Sequence, residues 1–187
     1  MITFLFSVLV VAIAEIGDKS QILAMVLAAQ FKKPMPVILA IAVATAANHV
    51  LAATGGYFLA DILKGPWFRY LVAFSFIAVA AWTLVPDKSQ AGPHLNSRSA
   101  SLATLVTYFL VEIGDKTQIA TIALAAHFHS IVLVTLGTTI GVTLADAPAV
   151  LLAETATKYI PLRIVRGAAA ASFLGLGLWA FADALRV

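Results

Sequence analysis

Six long apolar stretches cover most of the chain, at residues 2–29, 35–62, 67–85, 102–126, 131–156 and 165–185. Nothing else in the sequence constrains the fold as strongly. A bilayer-spanning helix needs about 20 mostly apolar residues, and each stretch is near or above that length. The stretches are continuous, whereas a membrane barrel would show alternating strands of about ten residues. The predicted fold is therefore an all-α membrane protein with six transmembrane helices. The composition agrees: of 187 residues, 61% are hydrophobic and 11% charged, against about 45–50% and about 25% in soluble domains. That balance excludes a soluble enzyme, a nucleic-acid binder and a disordered chain. The absence of cysteine removes disulfides, thiolate metal sites and cysteine nucleophiles.

The breaks between stretches are Lys32-Lys33-Pro34, Lys64-Gly65-Pro66, residues 87–101, residues 127–130 and residues 158–163. Only the stretch from Pro86 to Ser101, with its Pro, Gly, Ser, Asn and charges, has the composition of a linker. Residues 1–14 carry no Lys or Arg ahead of the apolar run, so a span is expected there rather than a cleaved signal peptide. With six spans, Lys64, Arg69 and Arg186 fall on one side, and Lys32, Lys33, Lys88, Arg98, Lys158, Arg163 and Arg166 on the other. Basic residues collect in cytoplasmic loops. The expected topology places the linker in the cytoplasm and both termini outside. The remaining two lysines, Lys19 and Lys116, fall inside spans.

The chain also matches itself at a shift of 97 residues. Glu15-Ile16-Gly17-Asp18-Lys19-Ser20-Gln21-Ile22 aligns with Glu112-Ile113-Gly114-Asp115-Lys116-Thr117-Gln118-Ile119. In the same register Arg69 meets Arg166, Ser75 meets Ser172, Phe76 meets Phe173 and Trp82 meets Trp179. The expected organisation is a first three-helix repeat at 1–86, a cytoplasmic linker at 87–101 and a second three-helix repeat at 102–187. Three spans is an odd number, so the second repeat enters from the opposite side. Inverted repeats of this kind are a transporter architecture, with substrate sites near the midplane where interrupted helices meet. Gly17 and Gly114 lie mid-span beside the densest polar residues of each half.

Glu15, Asp18, Lys19, Glu112, Asp115, Lys116 and Asp146 are all expected inside the membrane. Each such group costs roughly 2.5–3.5 kcal/mol at a helix centre, so together they need partners, a wet cavity or a ligand. On unbroken helices Glu15 with Lys19, and Glu112 with Lys116, would be i,i+4 pairs. That pairing leaves Asp18 and Asp115 uncompensated. The four motif acids and two lysines sum to −2, which matches one divalent cation and equally two protons. The remaining donors are the hydroxyls of Ser20 and Thr117 and the amides of Gln21 and Gln118. Hard oxygen ligands suit Ca²⁺, Mn²⁺ or Mg²⁺, and Mg²⁺ gives up its water reluctantly. Mn²⁺ and Ca²⁺ are not separated on these grounds.

Two copies of Glu-x-Gly-Asp-(Lys/Arg)-(Ser/Thr), at Glu15–Ser20 and Glu112–Thr117, resemble the signature of the small Ca²⁺/Mn²⁺ cation exchangers. That family includes bacterial MneA-type manganese exporters and Golgi homologues. The resemblance covers essentially the whole chain. It implies a secondary transporter rather than an enzyme, exporting Mn²⁺ and possibly Ca²⁺ from the cytoplasm in exchange for H⁺. It implies Glu15, Asp18, Glu112 and Asp115 as the cation-binding acids. On electrostatic grounds Lys19 and Lys116 would balance their charge. The transported cation is then the ligand, and no permanent cofactor is expected. The short chain suits a bacterial inner-membrane protein. A primarily Ca²⁺/H⁺ antiporter is the nearest alternative, and a non-transporting membrane scaffold the alternative of another class.

Other polar residues carry weaker signals. Asp146 lies two residues before Pro148, opposite Asn48 or His49 in the repeat; an intramembrane acid is a functional candidate. Asn48 and Asp146 join the secondary candidates. His49 could relay protons, but a packing histidine is the expectation. His127 and His129 are expected in an exposed loop rather than on a metal, and Met25 in the core. Trp82 and Trp179 fit an aromatic belt, with Arg69 and Arg166 as interface anchors. Gly137, Gly141, Ala145, Gly175 and Gly177 would permit close helix contact.

Overall fold

The structure, a computed structural model, describes residues 1–63, 65–85, 99–152 and 162–185. Among them are eight helices and no strand: α1 (Ile2–Glu15), α2 (Lys19–Phe31), α3 (Pro34–Ile62), α4 (Pro66–Thr83), α5 (Ala100–Glu112), α6 (Lys116–Phe128), α7 (Ile131–Leu151) and α8 (Leu162–Ala184). The all-α expectation holds. Most of the linker, residues 86–98, lies outside the described residues, as do Lys64, Lys158 and Arg186.

Eight helices replace six because two apolar stretches are each broken in the same way. Gly17 and Gly114 adopt φ of +81° and +77°, a conformation open to glycine and strained for other residues. The residue before each, Ile16 or Ile113, is extended, and so is Asp18 or Asp115 after it. Stretch 2–29 therefore becomes α1 and α2, and stretch 102–126 becomes α5 and α6. A second matched pair ends the half-helices. Lys32 and His129 close α2 and α6 in the left-handed region, at φ of 51° and 50°. Pro34 then opens α3, where its missing N–H costs nothing. Ser130 caps α7 by accepting from the Leu133 N–H at 3.4 Å.

Taken singly, α3 and α7 are long and apolar enough to cross a membrane; the apolar segments 2–15, 67–83, 100–112 and 170–184 are shorter. The distribution of side chains is the reverse of a soluble protein's. Leu9, Leu39, Leu51, Phe74 and Leu144 face outward, while Glu15, Asp18, Asn48, His49, Glu112, Asp115 and Asp146 are buried. Exposed apolar surface on this scale marks contact with something other than water.

The broadest helix contacts are α4 with α8 and α1 with α7, and α3 packs against α5, α6 and α7. Glycines set several of these approaches. A Cβ on Gly141 would sit 2.7 Å from the Val8 carbonyl oxygen of α1, and one on Gly137 would sit 2.8 Å from that of Phe4. Gly177 seats α8 on Ile77 and Ala73 of α4, and Gly56 seats α3 on the Ile122 backbone of α6. Gly175 departs from the expectation: nothing lies within 4 Å of a Cβ there, so it permits no contact that alanine would not.

Candidate functional site

Each motif builds the same small frame around its break. The Asp18 N–H donates to the Glu15 carbonyl at 3.0 Å, and the Asp115 N–H to that of Glu112 at 3.1 Å. The Gln21 side-chain oxygen, one turn into α2, accepts from the Gly17 N–H at 2.8 Å; Gln118 does the same for Gly114 at 2.6 Å. Asp18 and Asp115 are the N-cap residues of α2 and α6. An N-cap aspartate ordinarily accepts a backbone N–H of the first turn. Neither does so here, which leaves both carboxylates available for other partners.

Those partners come from the other motif. Lys116 Nζ lies 3.1 Å from Asp18 Oδ1, and Lys19 Nζ lies 3.1 Å from Asp115 Oδ1. The exchange is reciprocal: the lysine of each motif meets the aspartate of the other. It stands in place of the i,i+4 pairing that unbroken helices would allow. The turns at Gly17 and Gly114 interrupt the helix on which that i,i+4 spacing would hold.

The glutamates are served separately. The Ser20 hydroxyl donates to Glu15 Oε1. Glu112 accepts from Thr45 Oγ1 at 3.2 Å and from Asn48 Nδ2 at 3.5 Å. Asn48 also donates to the Phe109 carbonyl at 2.9 Å and accepts from Gln118 Nε2 at 3.5 Å. Gln21 Nε2 donates at 2.9 Å to the Ala145 carbonyl, the repeat position of Asn48. Asn48 and Gln118 thus join Glu112 in one set of hydrogen bonds, while Ser20 serves Glu15 and Gln21 reaches α7. Thr117 Oγ1 and Glu15 Oε2 have no hydrogen-bond partner. Among the described residues, no three carboxylate or imidazole side chains are gathered closely enough to hold a metal ion.

Asp146 is buried on α7 and accepts a hydrogen bond from the Tyr108 hydroxyl of α5, while its Oδ1 has no partner. Tyr108 escaped the sequence analysis. An aromatic residue in an apolar stretch looks like packing, and its repeat counterpart is Val11. Thr45 escaped likewise, although Thr45, Asn48 and His49 at i, i+3 and i+4 share one face of α3. Tyr108→Phe should destabilise the protein by about 1–3 kcal/mol, because a buried acceptor loses its donor. Thermal unfolding in detergent measures this.

His49 is buried with Nδ1 2.9 Å from Thr138 Oγ1. His129 Nε2 lies 3.1 Å from Asp61 Oδ1, with both side chains about half exposed. His127 packs edge-on against Trp179. Arg69 faces Asp183 at 3.8 Å. The Arg166 side chain lies outside the described set. Met25 is half-buried on α2.

Comparison with known proteins adds the chemistry. The profile of the family described as "Divalent cation/proton antiporter GDT1" matches residues 3–91 and 100–187, one motif in each match. A curated protein of Vibrio cholerae serotype O1, described as "Putative manganese exporter", is 41% identical over 173 residues, covering 92% of this chain and 86% of that protein. No solved structure matches the chain.

Proposed function

The chain belongs to the GDT1 family of divalent cation/proton antiporters, and from that premise we propose that it exports Mn²⁺ from the cytoplasm in exchange for H⁺. The observation that carries the reading is the reciprocal contact of the two motifs. Four buried carboxylates, the buried Lys116 and the partly exposed Lys19 carry a formal net charge of −2, the complement of one divalent cation. In the proposed carrier Glu15, Asp18, Glu112 and Asp115 hold the ion. Ser20, Gln21, Thr117, Gln118, Asn48 and Asp146 supply further oxygens or order the first four. Mn²⁺ accepts such hard donors, and the manganese exporter to which the chain is similar favours it over Ca²⁺ as the main cargo.

The membrane arrangement that goes with this function is six spans in two inverted three-helix repeats, 1–86 and 102–187, joined by a cytoplasmic linker at 87–101. In it α1 with α2, and α5 with α6, each make one interrupted crossing. A helix of 14 residues such as α1 is about 21 Å long, too short for a hydrocarbon core of about 30 Å. The matched breaks and the outward apolar side chains support this arrangement. Both termini then face outside, in a bacterial inner membrane. Ions bind while the acids are ionised and leave when they are protonated from outside. Rocking of one repeat against the other alternates access.

Expression in a bacterium that lacks its own manganese exporter tests the function. Cell-associated Mn²⁺ should fall and growth in excess Mn²⁺ should recover. Unchanged Mn²⁺ content with the protein present in the membrane would contradict the proposal. Rescue of Ca²⁺ but not Mn²⁺ sensitivity would instead identify a Ca²⁺/H⁺ antiporter.

A further inference from the structure

Lys19 and Lys116 are the first residues of α2 and α6. A cation there opposes the positive end of the helix dipole, so something other than helix stability accounts for a lysine at both positions. Each ammonium instead lies 3.1 Å from the aspartate of the other motif. Asp18 and Asp115 are turned away from the backbone N–H groups they could cap. The same carboxylates are proposed above as cation ligands, and an ion coordinated at about 2.1–2.6 Å cannot share its seat with an ammonium.

We propose that Lys19 and Lys116 are built-in surrogate cations: each holds the aspartate of the opposite motif while the carrier is empty, and an arriving divalent ion displaces both. This rests on the reading of the motif acids as the cation seat. It also accounts for the lack of any three-acid cluster among the described residues, since the acids are drawn to the lysines rather than to one another. The two pairs are unequal. The Lys116 and Asp18 side chains are 5% and 3% exposed, whereas Lys19 is 19% exposed over an Asp115 that is 1% exposed. Lys19 is therefore the first to yield in this conformation. The repeat relation gives Lys116 the same part when access is from the other face.

The surrogate role separates binding from turnover. An ammonium displaced but still near the site repels the ion, so its removal tightens ion binding. The same removal takes from one aspartate the ammonium that faces it whenever the carrier is empty. The return of the ion-free carrier, with its two protons on Glu15 and Glu112, then fails for want of that charge, and net export stops. Exchange of Mn²⁺ for Mn²⁺ needs no reorientation of the carrier without its ion, and continues.

The test uses the purified full-length protein and its Lys19→Ala, Lys116→Ala and Lys116→Arg variants, with Mn²⁺ as the probe. Calorimetric titration in detergent should show the alanine variants binding Mn²⁺ on the order of tenfold more tightly or better. In proteoliposomes they should retain Mn²⁺/Mn²⁺ exchange and lose net proton-driven export. Lys116→Arg should restore net export, because a cation is again present. Folded alanine variants with unchanged or weaker affinity would overturn the proposal, and so would loss of exchange together with export. Absence of Mn²⁺ binding by the unaltered protein would instead refute the cation-seat reading beneath it.

Discussion

Asp18→Asn is expected to reduce manganese export to the level of cells without the protein, and Asp115→Asn is expected to do the same. Two losses coincide in each variant. The ion loses an anionic ligand, and a loss of about 3 kcal/mol there is on the order of a hundredfold in affinity. The opposing lysine also loses the aspartate that faces it. Lys116 has only 5% of its side chain exposed, and removing one member of a buried pair costs about 3–5 kcal/mol because a buried charge loses compensation. The two losses separate in a double variant. Adding Lys116→Met to Asp18→Asn removes the stranded ammonium, so much of the stability should return while export stays absent. The stability changes are then strongly non-additive, as for groups in contact. Additive changes would show that Lys116 and Asp18 do not depend on each other. Recovery of export would show that Asp18 is not a ligand.

Gly56→Ala is expected to be nearly as damaging without touching any polar group. A Cβ at this position would overlap the carbonyl oxygen of Ile122. Backbone cannot rotate aside as a side-chain tip can, so α3 must move away from α6. Overpacking of this kind costs about 1–3 kcal/mol and occasionally more. The displacement also reaches the site, because α3 carries Thr45 and Asn48, and α6 begins at Lys116. Both melting temperature in detergent and manganese export should fall. Gly55→Ala and Gly175→Ala are the matched controls, since a Cβ at either meets nothing within 4 Å. Equal damage from all three would show that the α3–α6 approach is not what Gly56 provides.

The contrast between Gly56 and Gly175 also shows where sequence stops informing structure. Spacing drew attention to Gly137, Gly141 and Gly177, which do seat helices, and equally to Gly175, which does not. The difference lies in which face meets a neighbour, and one chain's spacing does not encode that. The duplicated motif was plain because polar residues are rare in an apolar chain, and two copies in register with Arg, Ser, Phe and Trp further on leave little to chance. The break at Gly17 and Gly114 could be suspected from the glycines themselves. Its consequence could not. The side-chain rule for an unbroken helix pairs Lys19 with Glu15, and only the left-handed turn sends it to Asp115. Tyr108 and Thr45 stayed hidden for a different reason. Each is an ordinary residue in an apolar helix until its hydroxyl is seen to meet Asp146 or Glu112.

The most direct test of proton-coupled manganese transport is made with the purified protein in sealed liposomes. Vesicles loaded at acid pH are placed in neutral medium containing Mn²⁺, and internal Mn²⁺ and internal pH are recorded together. An antiporter should concentrate Mn²⁺ inside above its external level while the lumen alkalinises, and both changes should vanish when the pH gradient is abolished beforehand. Entry of Mn²⁺ at the same rate with and without the gradient, with no change in internal pH, would contradict the account.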